Sequence, residues 1–303
     1  MTTPWAGAAV RSAGARIVGC ALAAALLTGC AQSVDPIERM GRKAAQKVRH
    51  HPRPAAGVAG APAAPAAPAA PVVPDAHRRW GLAAPLAPAP RPPAQGVLPP
   101  RRPGAVPPVV DRVPTRDKVV FLTFDDGAEK DPRFVDMVRD LRLPISMFLT
   151  HSVASPGTGY SHFGALRRLG AGVENHTLTH PFLPGLGYVE QHAEICGQQE
   201  RLRARFGTAP RLLRPPYGNY DADTLRAAGA CGIDAIVLWR ASMQINDLRY
   251  ADGGRRLHPG DIILTHFRGP ADLKGTTLTE LTTRMLRRIQ AQGFTVARLE
   301  DYL

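Results

Sequence analysis

The 303-residue chain is poor in cysteine, with four, and none of them stands in a Cys-x-x-Cys spacing. That pattern offers no cysteine-based metal site. Long apolar runs are also lacking. The longest near the N-terminus, "IVGCALAAALL" from Ile17 to Leu27, is too short to span a bilayer. Acidic residues are too few to balance the basic ones, leaving a formal net charge of +13. No nucleic-acid-binding motif accompanies that excess, so it does not point to a nucleic-acid partner. No internal repeat is evident.

What the sequence does contain falls into three materials. Arg11 and Arg16 precede the apolar run, and "LTGC" (Leu27–Cys30) closes it. Basic residues followed by a short apolar core suit an export signal. The small residues before Cys30 resemble the lipobox of bacterial lipoproteins. The resemblance implies a lipoprotein signal peptide over residues 1–29, cleavage before Cys30 and a lipid on its sulfur. The alternative is a plain secretory signal with an incidental cysteine. An exported, membrane-anchored protein facing the cell wall is the expected location.

Residues 30–116 hold most of the chain's prolines and tracts such as "APAAPAAPAAP". Few apolar side chains there exceed alanine, so burial cannot offset the entropy of ordering the backbone. The expectation is a disordered, basic Pro/Ala-rich linker, partly polyproline II, rising ~3.1 Å per residue where extended. It carries net +9 against +2 for residues 117–303. The high pI therefore belongs to the tail, which can attract anionic lipid or wall polymer or simply remain solvated.

From residue 117 the pattern becomes globular. "VVFLTF" (Val119–Phe124) predicts a buried strand, and "DPRFVDMVRDL" a helix started by Asp131-Pro132. Strands are also predicted at "ISMFL", "AGVENH", "RLLRP", "GIDAIVLW", "DIILTHF" and "FTVARL". Helices are predicted at "YSHFGALRRLG", Tyr188–Phe206, "DADTLRAAG" and Thr276–Gln292. Alternating strands and helices give an α/β domain with a parallel sheet. About seven such units in this length suggest an incomplete barrel. Cys196 and Cys231 are the cysteines left to this domain. They can bridge in an oxidising compartment; the alternative is two buried free thiols.

Polar clusters follow several of the predicted strands, and in a β/α barrel those strand ends share one face. "TFDDG" (Thr123–Gly127) supplies two adjacent carboxylates, and "NHTLTH" places His176 and His180 four residues apart. Two imidazoles and one carboxylate make a three-ligand site with an open position. The other carboxylate is then available as a base. "RPPYG" (Arg214–Gly218) adds a cation that can hold a carboxylate ionised and a backbone N–H for a developing oxyanion. "LTHF" places His266 where an acid for a leaving group would stand.

Taken in order, "TFDDG", "HTLTH", "RPPYG" and "LTH" resemble the motifs of the polysaccharide deacetylases, carbohydrate esterase family 4, with the chitooligosaccharide deacetylase homology domain. The resemblance covers roughly residues 118–303. It implies a distorted (β/α) barrel of fewer than eight strands. Asp125 would be the base, tethered by Arg214, and Asp126, His176 and His180 would bind a divalent metal, usually zinc and sometimes cobalt. Thr177 would brace the histidine loop, the Tyr217 N–H would support the oxyanion, and His266 would be the acid. The expected substrate is an N-acetylated cell-wall polysaccharide, peptidoglycan first or chitin-like oligomers, handled by a monomer. O-acetylated xylan-type glycan is the alternative, and a surface glycan-binding protein without turnover the rival. One segment departs: "LWRASMQINDLRY" (Leu238–Tyr250) keeps Trp239 but has Ser242 where an aspartate is expected, and Leu248 rather than Trp after Asp247.

Overall fold

In the computed structural model, residues 75–100 and 105–303 are described. The expected signal peptide, the expected lipidation at Cys30 and the first part of the linker lie outside them. The continuous apolar run predicted as a strand is β2 (Val119–Asp126), buried at every position. Its alternate side chains face opposite ways. Val119 and Phe121 join an inner apolar cluster with Phe148, Val237 and Ile262. Val120, Leu122 and Phe124 join a larger outer one under the helices. A strand covered on both faces has no polar face to show, which is why it reads as unbroken apolar sequence.

The sheet is built around this strand. β3 (Ser146–Leu149), β4 (Gly172–Asn175), β5 (Leu212–Leu213), β6 (Ala235–Val237) and β1 (Val109–Val110) continue on one side of it. β9 (Ile262–His266), β7 (Ala241–Met243) and β8 (Leu248–Tyr250) continue on the other, and β10 (Thr295–Ala297) pairs with the first half of β2. Every pairing is parallel except the β7–β8 hairpin. No ladder joins β1 to β8 among the described residues, so this is the expected incomplete barrel, with ten strands rather than about seven. The additional ones, β1, β7 and β8, are two or three residues long, too short for period-2 patterning to register.

The helices are α1 (Ala76–Arg79), α2 (Pro132–Leu141), α3 (His151–Ala154), α4 (Gly159–Arg168), α5 (Tyr188–Phe206), α6 (Ala222–Ala230) and α7 (Leu278–Ala291). Asp131 caps α2 by accepting from Arg133 N–H, as its sequence position predicted. Phe134 and Met137 of α2 are fully buried. The Phe134 ring meets Phe124 and Phe267 at centroid distances of 5.2 and 5.8 Å, forming an aromatic wedge behind the strands that carry the polar ends. A disulfide joins Cys196 of α5 to Cys231 at the end of α6, so the bridged alternative holds. Closing that 35-residue separation stabilises by roughly 3–4 kcal/mol in the chain-entropy model.

The linker expectation needs a correction for residues 75–100 and 105–116. They lie against the domain. Trp80 and Leu82 are buried in the outer cluster, Val113 is buried in the inner one, and Val109–Val110 form β1. The extended, proline-rich backbone makes few hydrogen bonds of its own, so its carbonyls accept from domain side chains. Thr283 donates to Trp80 O at 3.0 Å, Arg287 Nε to Gly81 O at 2.8 Å and Tyr302 Oη to Pro90 O at 3.1 Å. Counting prolines and alanines concealed the few large apolar residues that fasten this strap.

Candidate active site

The chain turns sharply where β2 ends. Asp126 and Gly127 have φ of 71° and 88°. This breaks the strand's alternation, so that both carboxylates approach the same imidazole: His176 Nε2 is 3.7 Å from Asp125 Oδ2 and 3.6 Å from Asp126 Oδ1. His180 Nε2 lies 3.5 Å from Asp126 Oδ1. The histidine segment is a loop rather than a helix. Thr177 and His180 adopt φ of 68° and 61°. Left-handed non-glycine residues cost on the order of 1–3 kcal/mol each, and here they cluster at one site.

Surrounding hydrogen bonds impose that conformation. Thr177 Oγ1 accepts from His180 N–H at 3.1 Å, which is the bracing expected of it. Asn175 Oδ1 accepts from Thr177 N–H at 2.8 Å, while Asn175 Nδ2 donates to Ile195 O and Gln199 Oε1 on α5. Thr150 Oγ1 donates to His176 O at 2.7 Å. Asn175 and Thr150 were not singled out from the sequence. Only their position directly beside the histidines in space shows their part.

His176 Nδ1 lies 2.6 Å from the Arg214 carbonyl oxygen. A carbonyl only accepts, so Nδ1 carries the proton and Nε2 presents its lone pair toward Asp126. Burial lowers the His176 pKa to about 3. Burial also holds His180 well below its ordinary value, with the neighbouring His176 adding to the effect. Two neutral imidazoles and a carboxylate, with ligating atoms within 4.8 Å of one another and a carbonyl fixing one ring, fit a zinc-type divalent ion. The same donors suit other borderline ions such as cobalt.

Arg214 leaves the end of β5 and runs into the barrel interior, fully buried. Nη1 donates to Asp125 Oδ1 at 2.7 Å and to Thr123 Oγ1 at 2.8 Å, and Nε donates to Val237 O at 3.1 Å. Its guanidinium carbon lies 4.3 Å from the Phe148 ring centroid. Burial raises the Asp125 pKa, opposed by the charges of Arg214 and His266. Asp125 and His266 are partners on adjacent strands. Burial lowers the His266 pKa to about 4, with the Asp125 charge working the other way.

Asp125, Asp126, His176, His180 and His266 line one cavity of about 90 Å³ with Pro215, Tyr217, Gly218, Trp239, Leu264 and Arg268, and Arg214 reaches it through Asp125. That volume is well below the roughly 300 Å³ or more of a pocket that engulfs a drug-sized ligand, so a larger molecule would present one group to it. Tyr217 adopts φ 62°, and its ring meets His180 at 4.8 Å. Gly218 allows the turn to press against Trp239: a Cβ there would lie 2.8 Å from the indole ring.

All seven candidate residues, Asp125, Asp126, His176, His180, Arg214, Tyr217 and His266, thus converge. Asp247 does not. It is 64% exposed, pairs with Arg288 at 3.4 Å and accepts from Leu248 N–H, away from the cavity. Ser242 accepts from Gln244 Nε2. Neither residue supports His266. Arg268 is a cavity residue that the sequence reading missed; its position two residues past His266 was the available signal.

A polysaccharide deacetylase family model matches residues 112–236. The chain belongs to the polysaccharide deacetylase family. An uncharacterized protein of Streptomyces coelicolor is 51% identical over 65% of this chain and 78% of its own length. A peptidoglycan-N-acetylglucosamine deacetylase of Bacillus cereus is 27% identical over 57% of this chain, which spans 64% of that relative. Among solved structures, a family 4 carbohydrate esterase from Streptomyces lividans in complex with acetate superposes with a TM-score of 0.50 at 25% identity, covering 62% of this chain and 95% of that one. A deacetylase fold and deacetylase chemistry are therefore what this family membership carries.

Proposed function

We propose that the protein hydrolyses acetamido groups on an N-acetylated cell-wall polysaccharide, peptidoglycan first among them. The single observation that carries this reading is the joint approach of Asp125 and Asp126 to His176 while Arg214 holds only Asp125. It separates a ligand carboxylate from a base carboxylate. Asp126, His176 and His180 would hold the divalent ion, which when bound supplies Lewis-acid activation of water and of the acetyl carbonyl.

The remaining steps belong to the chain's own groups. Asp125, kept oriented by Arg214, takes the proton from the attacking water. The Tyr217 N–H, at the cavity wall, would support the oxyanion that develops on the acetyl carbonyl oxygen. His266 delivers a proton to the departing amine, and acetate and a free amino sugar result. Trp239 forms a wall against which a sugar ring can stack.

The test is acetate release by the purified full chain from N-acetylglucosamine oligomers and from peptidoglycan, after metal stripping and after restoration with zinc or cobalt. Metal-dependent release is expected. A second reading rests on His266: Asp125 is the carboxylate whose charge supports it, Asp247 being elsewhere. An O-acetyl ester needs less help from an acid because an alkoxide leaves more readily than an amide nitrogen. Release from acetylated xylan but not from N-acetyl oligomers would favour it. Tight zinc binding with no release from either would favour a glycan-binding protein.

The same proposal places the enzyme outside the cytoplasm, tethered by lipid on Cys30 and reaching the wall on its linker. Mass spectrometry of the mature N-terminus tests this, and an unmodified Cys30 would refute the tether.

A further inference from the structure

Away from the catalytic cavity, cationic side chains gather along one edge of the sheet. β8 pairs only with β7 and forms that edge among the described residues. Between β8, the loop that follows it and the end of α7 lies a hollow of about 760 Å³. A second of about 410 Å³ continues it, with Arg256 and Gln292 lining both. Neither shares a lining residue with the active-site cavity.

Arg249, Arg255, Arg256, Arg288 and Lys118 line this groove, and Asp247 is the one acid among its described lining residues. Arg288 pairs with Asp247 at 3.4 Å, but both side chains are more than half exposed, so the pair is weak. The other arginines of α7 are tied to the fold: Arg284 donates to Ile245 O at 2.9 Å and Arg287 Nε to Gly81 O at 2.8 Å. Charge on an edge strand often guards it against pairing with another chain. A guard needs no floor, and this groove has one. Gln292 Oε1 accepts from Leu257 N–H at 2.7 Å, and Nε2 donates to Tyr250 Oη at 3.0 Å. Leu257 is buried, and the Tyr250 ring packs against the outer apolar cluster. The loop carrying Arg255 and Arg256 is thereby pinned to the helix end. The Tyr250 hydroxyl, already accepting, keeps its own proton to donate.

We propose that this groove binds a polyol chain linked by phosphodiesters and holds the domain on it. The shape suits a thread, since a flat anionic membrane cannot follow a hollow between strand and helix. The donors suit phosphate in the main chain. Its two free oxygens point apart, so guanidinium forks on both walls can meet one group. Carboxylates hanging from a sugar chain face one wall at a time. The Tyr250 ring is engaged in packing and Phe294 is buried, so neither offers a face on which a nucleic-acid base could stack. Binding here is independent of the acetyl chemistry and holds whether or not acetate is released.

The test measures binding of the full chain to poly(glycerol phosphate) at about 50 and 200 mM NaCl, where charge-driven binding weakens with salt. The basic tail contributes as well, so two variants of equal charge are compared. One combines Arg249→Gln, Arg255→Gln and Arg256→Gln. The other combines Arg201→Gln, Arg203→Gln and Arg205→Gln, all exposed on α5. The groove variant should lose about tenfold or more in affinity and the α5 variant less than about threefold. Equal losses would reduce the effect to net charge and overturn the proposal. Polygalacturonate should bind the wild type about tenfold more weakly than the phosphate polymer; equal binding overturns the choice of phosphate. Vesicles containing phosphatidylglycerol should bind both variants alike. A vesicle defect confined to the groove variant would make the groove a lipid contact and overturn the thread. Urea midpoints keep folding out of the comparison. If the triple groove variant is unstable, Arg255→Gln with Arg256→Gln, both on the exposed loop, should still lose about threefold or more, and an unchanged affinity refutes the site.

Discussion

Arg214 Nη1 donates to Asp125 Oδ1 at 2.7 Å, and both side chains are buried. The same nitrogen also meets Thr123, and the flat face of the guanidinium lies over Phe148. Lysine cannot reproduce this planar, multiply bonded arrangement. Arg214→Met or Arg214→Lys should therefore lose both turnover and stability. Leaving a buried carboxylate without its partner costs on the order of 3–5 kcal/mol. Urea unfolding of these variants checks the cost; midpoints matching the wild type would contradict the structural reading of the pair.

Asp125→Asn separates the two aspartates. It keeps the shape of the side chain and an acceptor for Arg214 but cannot accept a proton from water. Turnover should fall by about 10²-fold or more, the usual worth of a positioned base. Zinc should stay bound, because Asp126, His176 and His180 are untouched. Acetate assays with metal analysis on the same preparation provide both readings. Near-normal kcat would remove Asp125 from the role of base.

The converse holds for the ligands. His176→Ala, His180→Ala and Asp126→Ala should each lose stoichiometric zinc. A ligand that binds only the folded state raises the unfolding temperature by mass action. Added zinc should therefore raise the wild-type Tm and leave these variants unmoved. A His176→Ala protein that still holds one zinc would contradict the assignment.

How much of this was legible beforehand depends on the length of the signal. β2, α2 and α5 carry long patterns or clear caps, and the strand ends bearing Asp125, His176 and His266 were readable from them. β1, β7 and β8 are too brief to show a period. The convergence of Arg214 on Asp125 could be suspected from residue types but not its carbonyl contact to His176 Nδ1, which joins two loops 38 residues apart. For Arg268 the one signal was its place two residues past His266, since a single arginine in "FRGP" carries no pattern of its own; the cavity is what marks it.

The strap was misread for a related reason, and it yields its own prediction. Trp80 is 7% exposed, and its Nε1 donates to Asp140 Oδ2 at 3.1 Å. Trp80→Ala should destabilise the domain by about 3–5 kcal/mol, as for other buried aromatics. A chain begun at residue 117 should be weaker still, since it also lacks β1 and Val113. Denaturant midpoints for both decide; a truncated domain as stable as the full chain would return these residues to the status of a spacer.

Two further acids make stability depend on pH. Glu174 accepts from the N–H groups of Arg211 and Leu212 at 2.9 and 2.7 Å. Glu300 accepts from Ser146 Oγ at 3.0 Å and sits against Gly172, where a Cβ would fall 1.7 Å from Oε1. Burial raises the pKa of both, and for Glu174 the neighbouring Glu300 adds to it. The folded protein thus holds these protons more tightly than the unfolded chain. Stability is fully present below the unfolded carboxyl range, near pH 4.5. It declines as pH rises through the raised folded values and levels off above them. Glu300→Gln removes one titration while keeping an acceptor for Ser146. The ion pair it forfeits is with Arg298, which is 42% exposed and screened by solvent. Relative to the wild type, Glu300→Gln should therefore gain stability as pH rises from 4.5 through the raised folded value of Glu300, read as a gap in urea midpoints that widens and then stays constant. Parallel curves would show that Glu300 ionises in the folded state as it does in the unfolded one. Gly172→Ala, by contrast, should destabilise at every pH, because the clash with the Glu300 carboxyl group is present whether or not it carries a proton.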